Sequence, residues 1–568
     1  MAHPSPPGDG LPTTRTVPVV PVSPTPTLAP PVDRRARRRA ADAAMTARVH
    51  RAVARIPTVR TGACVALGLL GSCLGAASAF VGGNGRRVPW PAAGLRDLWP
   101  AHGDAAAQLV GVLGIALVVV TWLALGVGVL RRRVSLRGVL GFAAAATVPL
   151  ALAPPLFSED AWTYVAIGQL VDRGFDPYRV GWGVLGRGDY TANLSVFWRD
   201  SPSPYSPGAL RLLQGVAHAV GGSLGGGVVV LRLLTLAALA VCVPLLVTLT
   251  AARLVPRAPV VWLVMANPLL IVTFVSALHL DVLVLPLLLA ALVAQQRRHD
   301  VLAVLAASLA GQVKVTALVV AGFVVAARLL TDRDGEPRDR RVRAAAGLAA
   351  LAAAVFVGVN LLCGLGFGWV SALGIPGRAN NVLTPLDAAT DLVSVVGIGP
   401  GPLPGQVVST APGWLTVLGL SIGAVATVLL ALRVERLGVA RGAAYSLILL
   451  TLLNGAVWSW YFCVPFVLLA LFGSRREQLV VVGLSTLLVF SIRPDGASGG
   501  GGGFRAAALA GDVFFLAVYA VAARVVVHRP APAVAVAGAL PEPAGAPAGA
   551  PVAEPARASA RLPDGPSR

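Results

Sequence analysis

Apolar runs of about 20 residues recur along this chain, and arginine clusters mark every second end of them. Wound as a helix, a run of that length crosses the ~30 Å hydrocarbon core of a bilayer. Backbone amides left unpaired in hydrocarbon are costly, so such runs fold as α-helices. Only 13% of the 568 residues are charged and 56% are hydrophobic, too little charge for a soluble domain. The expected fold class is an all-α polytopic membrane protein with about 12–14 transmembrane helices.

The spans are expected at about 62–82, 107–130, 138–156, 226–252, 259–278, 281–296, 300–312, 314–330, 344–366, 413–432, 442–457, 460–473, 478–492 and 505–526. With the N-terminus inside, the clusters from Arg34 to Arg60, Arg131 to Arg137, Arg253 and Arg257, Arg297 and Arg298, Arg328 to Arg343, Arg433 to Arg441, Arg475 and Arg476, and Arg524 and Arg529 all fall on the cytoplasmic side. The expected location is the plasma membrane, multi-pass, with both termini cytoplasmic. The net charge of +21 is then an address to anionic cytoplasmic lipid. A nucleic-acid partner would need the charges gathered on one folded face, so none is expected.

Residues 1–60 are Pro-rich and then Arg-rich, as expected of a disordered basic arm, and 528–568 form a Pro/Ala-rich tail of the same kind. Between them, 61–527 is the membrane domain, with long outer loops at 157–225 and 367–412. Cys64, Cys73, Cys242, Cys363 and Cys463 lie in or beside apolar spans without CxxC spacing. They are small buried hydrophobes on this reading, which excludes a disulfide scaffold and a zinc cluster. The glycine run at 499–503 carries no Walker A or dinucleotide fingerprint.

The first outer loop opens with tandem acids, Glu159 and Asp160, where a membrane helix emerges. Ser158 can cap a helix from about Glu159 to Arg173, closed by Gly174 and broken by Asp176-Pro177. Trp162, Val165, Ala166, Leu170 and Val171 recur at helical spacing, so this helix is expected to lie amphipathically on the outer leaflet. Asp160, Tyr164 and Gly168 share another face, where a carboxylate, a phenol and a bare glycine would let a sugar ring approach. Asp160 is the preferred base by its register with Tyr164, with Glu159 beside it. The plain alternative is that both acids only complement the helix dipole.

Downstream, Tyr178, Trp198, Arg199, Asp200 and Tyr205 are either sugar platforms or interface-belt aromatics and a surface ion pair. Lys314 is the only lysine among the 47 basic residues, and it falls at an outer hairpin tip against the positive-inside bias. A compact charge there suits a phosphate, or it snorkels. His279 and Asp281 occupy the neighbouring outer turn, and Asp160, Asp281 and Glu159 could hold a divalent cation such as Mg2+ or Mn2+ if the fold joins them. In the second loop Arg378 is a candidate phosphate clamp, beside Asn380, Asn381 and Asp387. Trp458, Trp460 and Tyr461 sit at another outer helix end.

In order, "PPLFSEDAWTYVAIGQLVDRGFDPY", "VFWRDSPSPYSPG", "ANPLLIVTFVSALHLDVL", "GQVKVTAL", "GIPGRANNVLTPLDAATDLV" and "WSWYFCVPFVLLAL" resemble the actinobacterial polyprenyl-phosphomannose-dependent α-1,6-mannosyltransferases of the GT-C class. The likeness runs from about Pro154 to Leu471. One turn departs from the pattern: it reads His-Leu-Asp where the resemblance leads one to expect His-Asn-Asp. The resemblance implies an inverting enzyme that moves mannose from polyprenyl-phosphomannose to a growing α-1,6-mannan of an envelope lipoglycan. It puts the loop acid at Glu159–Asp160, with "GFDPY" (Asp176, Tyr178) and "PSPYSPG" (Tyr205) flanking the sugar site; Arg173 is a further candidate binding residue of this loop. The rival classes are a lipid-linked-sugar flippase or transporter, and a GT-C enzyme with another donor or acceptor. A transporter would more often keep its polar groups at the midplane.

Overall fold

The computed structural model describes residues 45, 47–49, 51–82, 104–186, 194, 196–333, 335–376, 383–389, 413–491 and 505–527. Among these the chain is helical throughout and contains no strand. The principal helices are α1 (Thr61–Gly82), α2 (Asp104–Leu130), α3 (Leu136–Leu152), α4 (Asp160–Asp172), α5 (Pro207–Ala219), α6 (Leu224–Ala252), α7 (Arg257–Val264), α8 (Asp281–Gln296), α9 (Asp300–Gly311), α10 (Leu318–Leu330), α11 (Arg338–Leu362), α12 (Gly413–Ala431), α13 (Val439–Leu452), α14 (Cys463–Phe472), α15 (Arg475–Leu488) and α16 (Arg505–Val527). The protein is an all-α polytopic membrane protein, as its hydropathy predicts.

Five helices among the described residues are long and apolar enough to cross a bilayer: Thr61–Phe80, Ala106–Leu130, Leu224–Ala252, Arg338–Leu362 and Gly413–Ala431. The bent pair Arg257–Val264 and Pro268–Ser276 raises this to six. The expected count of 12–14 is therefore not met by length. Six further apolar helices are shorter, among them Leu136–Leu152, Asp281–Gln296 and Asp300–Gly311. At 1.5 Å per residue a twelve-residue helix such as α9 spans only about 18 Å.

The span expected as unbroken at 259–278 is interrupted by its own sequence. Asn267 accepts a hydrogen bond from Leu269 N at 3.0 Å, and Pro268 follows at the first helical position. A residue preceding proline disfavours the helical region, while Asn favours the N-cap, so Asn-Pro ends one helix and starts another. The segments meet at a 40° bend. The second continues as a π-helix over Ile271–Ser276, a wide turn common at functional sites.

The arginine clusters converge at one end of the bundle. Arg333 forks onto Asp300, Arg328 bonds Glu336 at 2.7 Å, and Arg441 bonds Glu477 at 2.7 Å. Arg253 lies 4.3 Å over the Phe472 ring and donates to the Leu471 carbonyl. Arg131 donates to the carbonyls of Val53 and Ile56. Within the basic arm expected at 1–60, residues 51–54 are helical and Val53 is buried.

The opposite end carries the first long loop, which has its own apolar core. Trp162, Tyr164, Val165, Leu210, Leu213, Leu224, Val228, Leu278, Leu280 and Trp369 pack together there. α4 is buried on all sides from Ala161 to Val171, packed between α5 and α6, and is not the one-sided surface helix expected. Its apolar positions do recur helically, but its polar-looking face is covered as well. A Cβ at Gly168 would collide with the Leu213 carbonyl of α5. The glycine therefore admits a neighbouring backbone, not a sugar ring.

Candidate active site

Two carboxylates open two helices at this end. Asp160 is the first residue of α4 and Asp281 the first of α8, where exposed backbone N–H groups and the helix dipole favour an anion. Ser158 Oγ accepts from Asp160 N at 3.0 Å and holds the entry to α4. Both acids were expected in the site, and the fold brings their surroundings together.

Around Asp160, the i, i+4 relation delivers what the spacing implies. Tyr164 Oη donates to Asp160 Oδ2 at 3.4 Å, and Tyr205 Oη donates to Tyr164 Oη at 3.1 Å. Burial, more than the nearby carboxylates, holds both phenols well above their ordinary pKa, so both are neutral donors. His279 Nδ1 lies 3.3 Å from the same Oδ2. The imidazole is 0% exposed and stacks on Trp460 at 3.7 Å between ring centroids, tilted 15°. Trp458 stacks on Trp460 in turn at 5.0 Å. A small cavity lies behind the imidazole, lined by Phe157, Thr273, Ala277 and Ser459.

Around Asp281, Lys314 Nζ sits on Oδ1 and lies 3.8 Å above the Tyr461 ring, an ion pair and a cation–π contact on one ammonium. The Asp281 side chain is 6% exposed and that of Lys314 25%. The lysine thus already has an anionic partner in the free protein. Leu280, where the more polar Asn was expected, is buried in the apolar core of the first long loop.

These contacts bear on the divalent cation. Lys314 neutralises Asp281, and among the described residues no three His, Cys, Asp or Glu side chains form a group able to hold a metal. Glu159 is half-buried at the cap of α4, and its side chain makes no capping hydrogen bond. The donor set does not fit a bridging ion between the two aspartates.

The remaining predicted residues divide. Tyr178 Oη donates to the Tyr205 carbonyl at 3.1 Å, so it supports the site from behind. Asp176 accepts from Tyr178 N at 2.9 Å and pairs with Arg179 at 3.4 Å on the surface. Arg173 is exposed at the far end of α4, about 20 Å of helix from Asp160. Trp198 packs edge-on against Phe197, while the side chains of Arg199 and Asp200 are exposed. Arg173 and Arg199 therefore do not join the cluster around Asp160. Arg378, Asn380 and Asn381 lie outside the described residues. Asp387 is buried.

One residue that sequence reasoning passed over is Arg232. It lies inside the apolar helix α6, is buried, and donates to main-chain carbonyls beside the site. Its signal was available: an arginine within an apolar span, away from the basic clusters, is costly unless it serves a purpose.

Comparison with known proteins bears on the same region. The family model for the alpha-(1->6)-mannopyranosyltransferase N-terminal domain matches residues 65–329, which include Asp160, His279, Asp281 and Lys314. The model for the MptB C-terminal domain matches 405–527, which include Trp458, Trp460 and Tyr461. The chain is 29% identical over 410 residues to alpha-(1->6)-mannopyranosyltransferase A of Mycobacterium tuberculosis, covering 70% of this chain and 78% of that one. It is 30% identical over 351 residues to a probable alpha-(1->6)-mannopyranosyltransferase of Mycolicibacterium smegmatis, covering 56% and 62%. It is 27% identical over 425 residues to alpha-(1->6)-mannopyranosyltransferase B of Corynebacterium glutamicum, covering 69% of each. No solved structure matches. With two models of one family matching 65–329 and 405–527, and relatives of the same name covering up to 70% of the chain, the chain belongs to the actinobacterial alpha-(1->6)-mannopyranosyltransferases and is a membrane glycosyltransferase.

Proposed function

We propose that this enzyme transfers mannose from polyprenyl-phosphomannose to a growing α-1,6-mannan of an envelope lipoglycan, on the outer face of the plasma membrane and with inversion. The observation that carries the reading is the surroundings of Asp160: a carboxylate at a helix N-terminus, hydrogen-bonded by Tyr164, with His279 Nδ1 3.3 Å away but outside hydrogen-bond geometry, and still 20% exposed. Tyr164 and His279 both lie on the Oδ2 side, which leaves Oδ1 to meet an acceptor hydroxyl.

In the proposed step the acceptor oxygen attacks the anomeric carbon as the bond from that carbon to the donor phosphate oxygen breaks. The hydroxyl proton passes to Asp160, and polyprenyl phosphate leaves with the bonding electron pair. His279, beside Oδ2, aligns with the acid as it accepts the proton, because such contacts are often loose in a free enzyme and tighten on loading. Trp460 is buried and stacks with both His279 and Trp458, so the half-buried rings of Trp458 and Tyr461 are the ones that offer an apolar surface to a pyranose. The leaving phosphate meets Lys314, whose ammonium has more than one donor and need not abandon Asp281 to take a second anion. Arg378 is proposed as its second contact. No step is routed through a metal ion, and chelation is expected to leave the rate unchanged.

Two observations support this reading against a flippase: membership in a transferase family, and polar groups gathered at one end of the bundle. The test is transfer from radiolabelled polyprenyl-phosphomannose to short α-1,6-mannosides in membranes, with linkage analysis. Labelled product in α-1,6 linkage is expected. Donor consumption without product, or another linkage, overturns the reading.

A further inference from the structure

We infer that Arg232 is a positioning residue, whose guanidinium holds the turn leading to Asp160 and the turn leading to His279 in one register. The inference rests on the reading of Asp160 as base. Arg232 lies about 12 Å into α6 and is 4% exposed. Its Nη1 donates to Ala151 O at 2.8 Å and also to Ala153 O, while Nη2 donates to Ser276 O at 3.4 Å. Ala151 and Ala153 lie at the C-terminal end of α3, where carbonyls lack intrahelical donors, and Ser276 ends the π-helix. One planar fork therefore joins two chain ends that the sequence separates by more than a hundred residues.

What those ends carry makes the staple consequential. Just past Ala153, Leu156 N donates to Ser276 O at 3.3 Å, so the two turns also touch directly. The next residue, Phe157, has φ +68°, and on the other turn Leu278 has φ +61°. Bulky side chains in the left-handed region persist only where the surroundings over-determine them. Phe157 stands three residues before Asp160, and Leu278 immediately before His279. The two strained residues aim the two groups that meet at 3.3 Å, and the arginine bonds the chain beside both. A lysine could keep the charge there but not the fork.

The test uses the full chain in membranes with the same donor and acceptor, and compares Arg232→Lys and Arg232→Gln per folded molecule. We expect kcat to fall about 10–10²-fold with donor KM nearly unchanged, since misplacement by an ångström costs on that scale. Neither change should add further loss in an Asp160→Asn or a His279→Gln background. A residue that serves folding alone would lower the amount of folded protein and leave kcat per molecule intact, and that result overturns the inference. So does failure of both variants to accumulate, which assigns the arginine to folding. Full rate in Asp160→Asn by itself sinks the base assignment instead. Arg232 then stands or falls on its own kcat loss and on non-additivity with His279→Gln.

Discussion

His279 Nδ1 and Asp160 Oδ2 lie 3.3 Å apart, although the two residues belong to turns more than a hundred positions apart in the chain. The imidazole is clamped from its other face by Trp460. The contact is therefore held by packing, and it marks Asp160 out from its neighbour Glu159.

Replacing Asp160 by Asn is expected to cut the initial transfer rate by about 10²–10⁴-fold at equal protein level, the usual loss for a general base. Glu159→Gln should lie within a few-fold of wild type. The reverse ranking would move the base by one residue, and two active variants would remove the base from this loop.

His279→Gln keeps a polar group of similar reach but loses the ring that stacks on Trp460 and sets its position beside Asp160. We expect kcat and kcat/KM to fall together, by about tenfold or more, with donor KM unchanged. Unchanged kcat would leave the histidine as a packing partner of Trp460 only.

For Lys314 the buried partner changes the expectation. Lys314→Met leaves Asp281 as an uncompensated buried charge, a loss on the order of 3–5 kcal/mol, so less folded protein should accumulate. Adding Asp281→Asn should restore the folded amount without restoring the rate, and should leave donor KM raised. Recovery of full activity in the double variant would show that the lysine serves Asp281 and not the donor phosphate.

The phenol pair has a pH signature. Burial raises the folded-state pKa of Tyr164 and Tyr205 well above the ordinary value, while unfolded tyrosines ionise near 10. Their contribution is thus fully present below pH ~10 and is lost as pH climbs beyond it, because the unfolded state then releases protons that the folded state retains. Melting temperatures in detergent should fall above pH ~10, and less steeply for Tyr164→Phe/Tyr205→Phe. Equal slopes would contradict this.

Orientation is open to labelling. In a cysteine-free background, cysteine at Arg173 should react with an impermeant maleimide in intact cells, and cysteine at Arg340 only after permeabilisation. Both positions are exposed, so silence at Arg173 with labelling at Arg340 would invert the topology.

Sequence alone determined the fold class, the positions of nearly every helix and the grouping of arginines at one end, because hydrocarbon imposes a length and a polarity that each segment must satisfy by itself. The Asp160–Tyr164 contact was legible for the same reason: it lies within one helical turn. Local pattern could not say what would cover α4, and so a buried helix looked amphipathic and Gly168 looked open to a sugar. Nor could it distinguish a lysine waiting for phosphate from one seated on Asp281, or raise His279 above a lone histidine. Those outcomes depend on which distant turns meet. The break at Asn267-Pro268 is local, but which turns meet across it was decided by tertiary contacts, chief among them a buried arginine tying the π-turn to the end of α3.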